Sequence, residues 1–282
     1  MKTLVTGAGG LAGGLLADRL EGLGIAVVRA GRRPRTPGWL RWDMASGPFD
    51  LQPGFECVVH AAPLWLLPGH LQRLAESGAE RVIGFSSTSV MTKRASASRE
   101  DRALSTALDE AEQAVRSESD RLGLSTTLLR PTMIYGYGRD RNVMAIVRFV
   151  RRLGFFPVAG EASGRRQPLH VDDAVEAVVS VLKNAATYGK TYDLAGGETL
   201  SYRSMVTRIF EALSRRPRIL RIPVGLYGRL LGAAGVLGAH VTADIARRMN
   251  QDMVFDPGEA RKDFSFVSQG FLQHPERDLE VT

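Results

Sequence analysis

The chain opens with the apolar run Leu4-Val5 and then reads Thr6-Gly7-Ala8-Gly9-Gly10-Leu11-Ala12-Gly13. A glycine turn therefore joins a strand to a helix, which the apolar spacing predicts over residues 15–23. Strand, tight turn and helix in this order constrain the fold strongly, because they open a parallel βαβ layer. Gly7 suits the sharp turn, Gly10 lets an anion approach the backbone, and Gly13 lets the helix lie close to the sheet. The helix N-terminus adds unpaired amides and a positive dipole end, so the turn reads as a phosphate cradle. The expected ligand is a dinucleotide, held by Thr6, Gly7, Gly9, Gly10, Leu11 and Gly13. A merely flexible loop is the competing reading of a lone glycine triplet.

The remaining chain repeats this alternation. Short β-branched or apolar runs at residues 2–6, 25–29, 57–60, 81–86, 125–129 and 191–194 read as strands, with helical patterns at 101–122 and 172–183. Such an order predicts an α/β, Rossmann-type doubly wound parallel sheet. With 282 residues, of which 44% are hydrophobic and 24% charged, the chain suffices for one large core and a smaller lobe. The early glycine turn leaves no room for a signal peptide, and no apolar run reaches the roughly 20 residues of a membrane span, so a cytoplasmic protein is expected. The apolar segment 226–239 is interrupted by Arg229 and glycines, and reads as a buried or partner-facing helix. Cys57, the single cysteine, lies in an apolar run and reads as a buried thiol.

The net charge of +7 comes from arginine, since lysine occurs only at 2, 93, 183, 190 and 262. One arginine-rich stretch holds Arg139, Arg141, Arg148, Arg151, Arg152, Arg165 and Arg166; another holds Arg203, Arg208, Arg215, Arg216, Arg218, Arg221 and Arg229. Guanidinium groups grip phosphate in a bidentate way, so a small anionic substrate suits these stretches, with solvated helix faces as the alternative. No recognition motif accompanies the charge, and nucleic acid is not expected as a partner.

In a doubly wound sheet, ligands collect beyond the carboxyl ends of the strands. After the second strand stand Gly31-Arg32-Arg33 with no acid to receive ribose hydroxyls, so Arg32 and Arg33 point to a 2′-phosphate and favour NADP(H) over NAD(H). Asp43 and Met44 suit an adenine edge and face. His60-Ala61-Ala62-Pro63 closes another strand with small residues that let the backbone approach the cofactor, His60 itself reading as a structural histidine. Ser86, Pro131 and Met133 end further strands on the same side. Tyr135 and Tyr137 are placed to orient a substrate, with Arg139 and Arg166 to meet its charge.

Taken together, these residues resemble the extended short-chain dehydrogenase/reductase family, also called the NAD-dependent epimerase/dehydratase family. The resemblance rests on the glycine turn, Asp43-Met44, His60-Ala61-Ala62, Phe85-Ser86-Ser87, Arg130-Pro131 with Ile134-Tyr135-Gly136, His170-Val171-Asp172-Asp173, and the late segment Phe255-Asp256 through Asp263-Phe264. It implies a cofactor domain at residues 1–136 and 167–196 and a smaller substrate lobe at 137–166 and 197–282. It further implies oxidoreductase or epimerase chemistry on a nucleotide-sugar-like substrate, and a homodimer through the long helix. Such enzymes use a Tyr-x-x-x-Lys pair, in which the lysine lowers the phenol pKa. Aligned on Ala111-Glu112, this chain has Leu104 and Leu108 at those positions, and none of its six tyrosines has a lysine four residues later. Ser87 matches the family's catalytic hydroxyl. Thr88 and Ser89 stand where dehydratases carry Asp-Glu, so dehydration is the least supported of the family reactions.

Lys93, Glu110 and Glu112 are the ionisable substitutes nearby, each reading more simply as a solvated side chain. Asp172 is expected to cap a helix with Asp173 in its first turn, and no metal site is expected, since His170 has no second histidine at ligand spacing. Gly189-Lys190-Thr191 reads as an ordinary turn. Two functions follow: an NADP(H)-dependent oxidoreductase or epimerase, or an NADP(H)-binding regulatory, sensor or assembly protein without catalysis.

Overall fold

The computed structural model describes residues 1–47, 51–233 and 243–279. Its strands are β1 Lys2–Thr6, β2 Ala26–Gly31, β3 Leu40–Arg41, β4 Cys57–His60, β5 Arg81–Phe85, β6 Ser125–Pro131, β7 Ile134–Tyr135, β8 Phe156–Ala159, β9 Arg165–Arg166, β10 Leu169–His170, β11 Thr191–Leu194, β12 Leu200–Ser201 and β13 Ile219–Ile222. Its α-helices are α1 Leu11–Gly22, α2 Leu71–Glu76, α3 Ser89–Thr92, α4 Arg99–Leu122, α5 Asn142–Leu153, α6 Val171–Val181, α7 Tyr202–Ala212, α8 Val224–Ala233, α9 Ala243–Arg248, α10 Gly258–Phe264 and α11 Pro275–Asp278.

Seven strands make one parallel sheet in the order β11-β6-β5-β4-β1-β2-β3. Strands β4 and β5 are buried at every residue, as expected where helices cover both faces. Val5, Leu16, Ala17, Val59, Ala174 and Val178 pack on the face under α1 and α6, and Leu4, Val58, Leu74, Val82, Leu108 and Val115 on the face under α2 and α4. A third cluster, with Val147, Val158, Ile209, Phe210 and Tyr227, fills the lobe built from α5, β8, α7, β13 and α8. The chain then returns: Ala260 and Phe266 belong to the core under α1 and α6. The strand order reverses between β1 and β4, where Thr6 pairs with His60. This is the crevice at which such sheets take ligands.

Several boundaries differ from expectation for local reasons. Helix α1 starts at Leu11 rather than residue 15, because Gly13 and Gly14, poor helix formers, hide its first turn in the sequence. Helix α4 starts at Arg99, where the Ser98 side chain accepts from the Asp101 amide. His170, not Asp172, caps α6: its Nδ1 accepts from the Asp172 amide at 3.2 Å, which leaves Asp172 and Asp173 in the first turn. Strand β6 runs through Pro131, whose missing N–H costs nothing at a strand end, and whose carbonyl accepts from the Thr88 amide. Of the apolar segment 226–239, α8 includes residues up to Ala233, and 234–239 lie outside the described residues. Among the described residues, no helix is long and apolar enough to cross a membrane.

Candidate functional site

The turn between β1 and α1 is shaped by close approach. Gly7 has φ +74°, and a Cβ there would lie 2.6 Å from the Ala61 carbonyl. A Cβ on Gly13 would lie 2.4 Å from the Gly7 oxygen, so this glycine seats the helix against the turn itself. Gly10 stands extended before α1, with no side-chain cap and no acid in the first turn. Gly9 and Gly10 are exposed. The first amides of a twelve-residue helix thus face the crevice with their dipole end uncompensated.

The end of β4 is tied to this turn. His60 is fully buried; its Nδ1 lies 2.8 Å from Thr6 Oγ1 and its Nε2 3.1 Å from the Pro63 carbonyl. Burial lowers its pKa to about 4, so the ring is neutral, with Nε2–H donating and Nδ1 accepting. The structural reading of His60 fits this geometry. Thr6 is also buried, and its hydroxyl serves His60. Ala61 and Ala62 are half-buried and Pro63 is exposed beside Gly7.

Beyond β2, Arg32 and Arg33 are exposed and, among the described residues, carry no ion pair. Arg35, which sequence reasoning passed over, donates from Nη2 to the Gly9 carbonyl at 2.9 Å. Asp43 is exposed past β3, whereas Met44 is buried among Trp42, Leu64 and Leu67. The Met44 side chain therefore belongs to the core rather than to an adenine face. Met133 packs against the lobe core.

At the ends of β5 and β6 lies a polar network that the sequence did not reveal. The Ser86 hydroxyl donates to Glu112 Oε1 at 2.5 Å, and Arg130 grips both carboxylate oxygens, with its Nε at 2.7 Å. That carboxylate is 1% exposed. Glu112 is thus no solvated residue, and the Ser86 hydroxyl is engaged by it. The hydrogen bond that Arg130 donates to Glu112 is the main cause that raises the Arg130 pKa. Next door, Ser87 is half-buried and its Oγ accepts from the Ser89 amide at 3.1 Å. Leu108 is buried and Leu104 packs against the same core. Lys93 is not a free surface lysine, because its ammonium pairs with Asp101 at 2.7 Å.

Two expected substrate residues are turned inward. Tyr135 is wholly buried; its hydroxyl accepts from the Leu272 amide at 3.0 Å, and burial raises its pKa. Arg166 is buried with its guanidinium on the carbonyls of Arg165, Gln251 and Arg248, and burial lowers its pKa. Neither presents its polar group to a ligand. Tyr137, at φ +55°, is half-exposed and donates to Asp172 at 2.9 Å. Arg139 is exposed, beside the glycine turn.

Between the sheet and the lobe lies a cavity of about 470 Å3, with Thr92 and Ser96 on one wall and Val224, Arg247, Arg248 and Gln251 on the other. Asp244 bridges its edge, accepting from Ser96 Oγ at 2.5 Å and the Ala97 amide at 3.1 Å and pairing with Arg247 at 2.8 Å. Nothing in the spacing of residues 243–251 announces this wall, since it exists only once α9 packs beside the strand ends. Another cavity, about 600 Å3, opens near Leu23, Ile25 and Val179 at the other end of α1 and has no part in this site.

Residues 71–195 match the NAD dependent epimerase/dehydratase family. The chain is 30% identical over 98 residues to NADH dehydrogenase (ubiquinone) 1 alpha subcomplex subunit 9, mitochondrial, of Arabidopsis thaliana, covering 34% of this chain and 24% of that protein. It is 23% identical over 170 residues to UDP-glucose 4-epimerase of Vibrio cholerae, covering 58% and 52%. The curated relatives it matches are thus spanned over 24% to 55% of their length. The solved structure of MoeE5 in complex with UDP-glucuronic acid and NAD superimposes with TM-score 0.74 at 21% identity, covering 99% of this chain and 98% of that one. At that identity the likeness is one of fold, and it runs over nearly the whole chain.

Proposed function

We propose that this epimerase/dehydratase-type protein binds a nicotinamide dinucleotide at the glycine turn, NADP(H) in preference to NAD(H), and works as an oxidoreductase or epimerase on an anionic, nucleotide-sugar-like substrate. One observation carries the reading: the uncapped first turn of α1 opens at the β1–β4 reversal beside exposed arginines, with no acid after β2. The V. cholerae relative is a UDP-glucose 4-epimerase, and MoeE5 was solved with NAD and a UDP-sugar acid.

The amides of α1 hold the pyrophosphate, while Gly7 and Gly13 keep the turn low enough for it to approach. A nicotinamide held there would supply hydride transfer to or from a substrate carbon. The Ser87 hydroxyl, its oxygen aligned by the Ser89 amide, donates a hydrogen bond to the reacting oxygen. Arg247 meets substrate charge from the interlobe cavity. With leucine at 104 and 108, no phenol stands at the place of the family's acid–base pair.

Binding and turnover test separate parts of this reading. The expected result is tighter binding of NADPH than of NADH by fluorescence titration, and turnover with a member of a panel of nucleotide sugars and small carbonyl compounds. Ser87→Ala should lower kcat by about tenfold to a hundredfold with NADPH affinity unchanged. Tight NADPH binding without turnover across the panel would instead establish the non-catalytic sensor or assembly role.

A further inference from the structure

We infer that Arg35 and Arg139 together form one anion site on the flank of the glycine turn, which takes the phosphomonoester that distinguishes NADP(H) from NAD(H). The inference rests on the dinucleotide reading and reassigns Arg139 from the substrate to the cofactor. A cavity of about 540 Å3 lies there, with Ala8 and Gly14 of the turn and helix, Arg29, Arg35, Trp39 and Arg139 among its walls.

The charges in this cavity are unequally committed. Arg29 is held by Asp18 and Glu21, each at 2.7 Å. Arg35 has only a neutral partner, the Gly9 carbonyl at 2.9 Å. Arg139 has no hydrogen-bonding or ion-pair partner for its guanidinium among the described residues and is exposed. Asp18 and Glu21 also line this space, but both are engaged by Arg29, so two forked donors border one space with no carboxylate paired to either, an arrangement suited to a dianionic phosphate. Arg32 and Arg33 do not line the cavity.

The second jaw is held in place by the fold. The amide of Gly138 donates to the Asp278 carbonyl at 2.8 Å, and Asp140 Oδ1 accepts from the Val143 amide at 2.7 Å. Arg139 is therefore pinned at both neighbours while its own side chain remains unengaged. A residue some hundred positions beyond β2 in the chain thereby acts in cofactor choice.

Titrations of NADPH, NADH, adenosine 2′,5′-bisphosphate and adenosine 5′-monophosphate against wild type, Arg139→Ala, Arg35→Ala and the double variant Arg32→Ala/Arg33→Ala test this. Arg139→Ala and Arg35→Ala should each weaken NADPH and the bisphosphate about tenfold, leaving NADH within about twofold and Tm unchanged; the double variant should lose less than about threefold. Equal weakening of NADPH and NADH in Arg139→Ala, or selectivity lost only with Arg32 and Arg33, overturns the inference and leaves the cofactor reading intact. Should wild type bind neither dinucleotide, that reading fails. The bisphosphate then decides the site: binding that Arg139→Ala abolishes upholds it, and no binding overturns it.

Discussion

Buried without a charged partner, His60 is kept neutral by its surroundings, and this makes the end of β4 sensitive to acid. Its folded pKa of about 4 lies below the ordinary 6.5, so between these values the unfolded chain binds the proton and the native protein does not. Stability is then full above pH 6.5 and falls as the pH drops toward 4, by on the order of 3 kcal/mol at most. Urea unfolding at pH 7.5 and 5 should show this loss in wild type and a smaller one in His60→Gln; equal losses would remove His60 as the source. Residue type is informative for His60 because a lone histidine amid apolar neighbours has few alternatives. It failed for Tyr135, Arg166 and Glu112, whose chemistry is the same whether they face a ligand, a carbonyl or a buried arginine.

Among the elements, α4 shows how one helix position is fixed by the core. Ser98 and Gly123 bound the helix, with Gly123 at φ +70° in the αL cap, and Leu108 lies inside the core beneath it with Val90, Ala111 and Val115. Lysine at 108 would bring an ammonium into that core, so Leu108→Lys should destabilise the protein by about 3–5 kcal/mol. Thermal melting checks this, and an unchanged Tm would mean that the side chain escapes to solvent. The central strands were legible because burial on both faces demands unbroken apolar runs. Their neighbours β3, β7, β9, β10 and β12 were not, for each has two residues, too few to set a period.

On the scale of the whole molecule, a charged latch joins lobe and sheet. Asp244 is buried against Ser96 and Arg247, while Arg248 reaches Asp101 at 2.9 Å and Lys93 completes the set. Burial alone would raise the Asp244 pKa, but hydrogen bonds from Ser96 and the Ala97 amide and the two arginines hold it below the usual carboxylate range. Asp244→Asn should therefore loosen the interlobe cavity. Hydrogen exchange should rise by about tenfold or more in α9 and at residues 95–98 while β4 and β5 stay protected; uniform exchange would mean that the latch does not govern the lobe.

By itself, the sequence determined the parallel layered sheet, the glycine turn at its crevice and the lack of a Tyr-x-x-x-Lys pair, because each depends on spacing within one short segment. Only the tertiary structure decided that Arg166 and Tyr135 are occupied within the fold, that Glu112 serves Arg130, and that Arg139 lines the same cavity as Arg35. Those relations join residues that lie up to 137 positions apart. Burial and partner, which set a side chain's available chemistry, are created only when distant elements pack together.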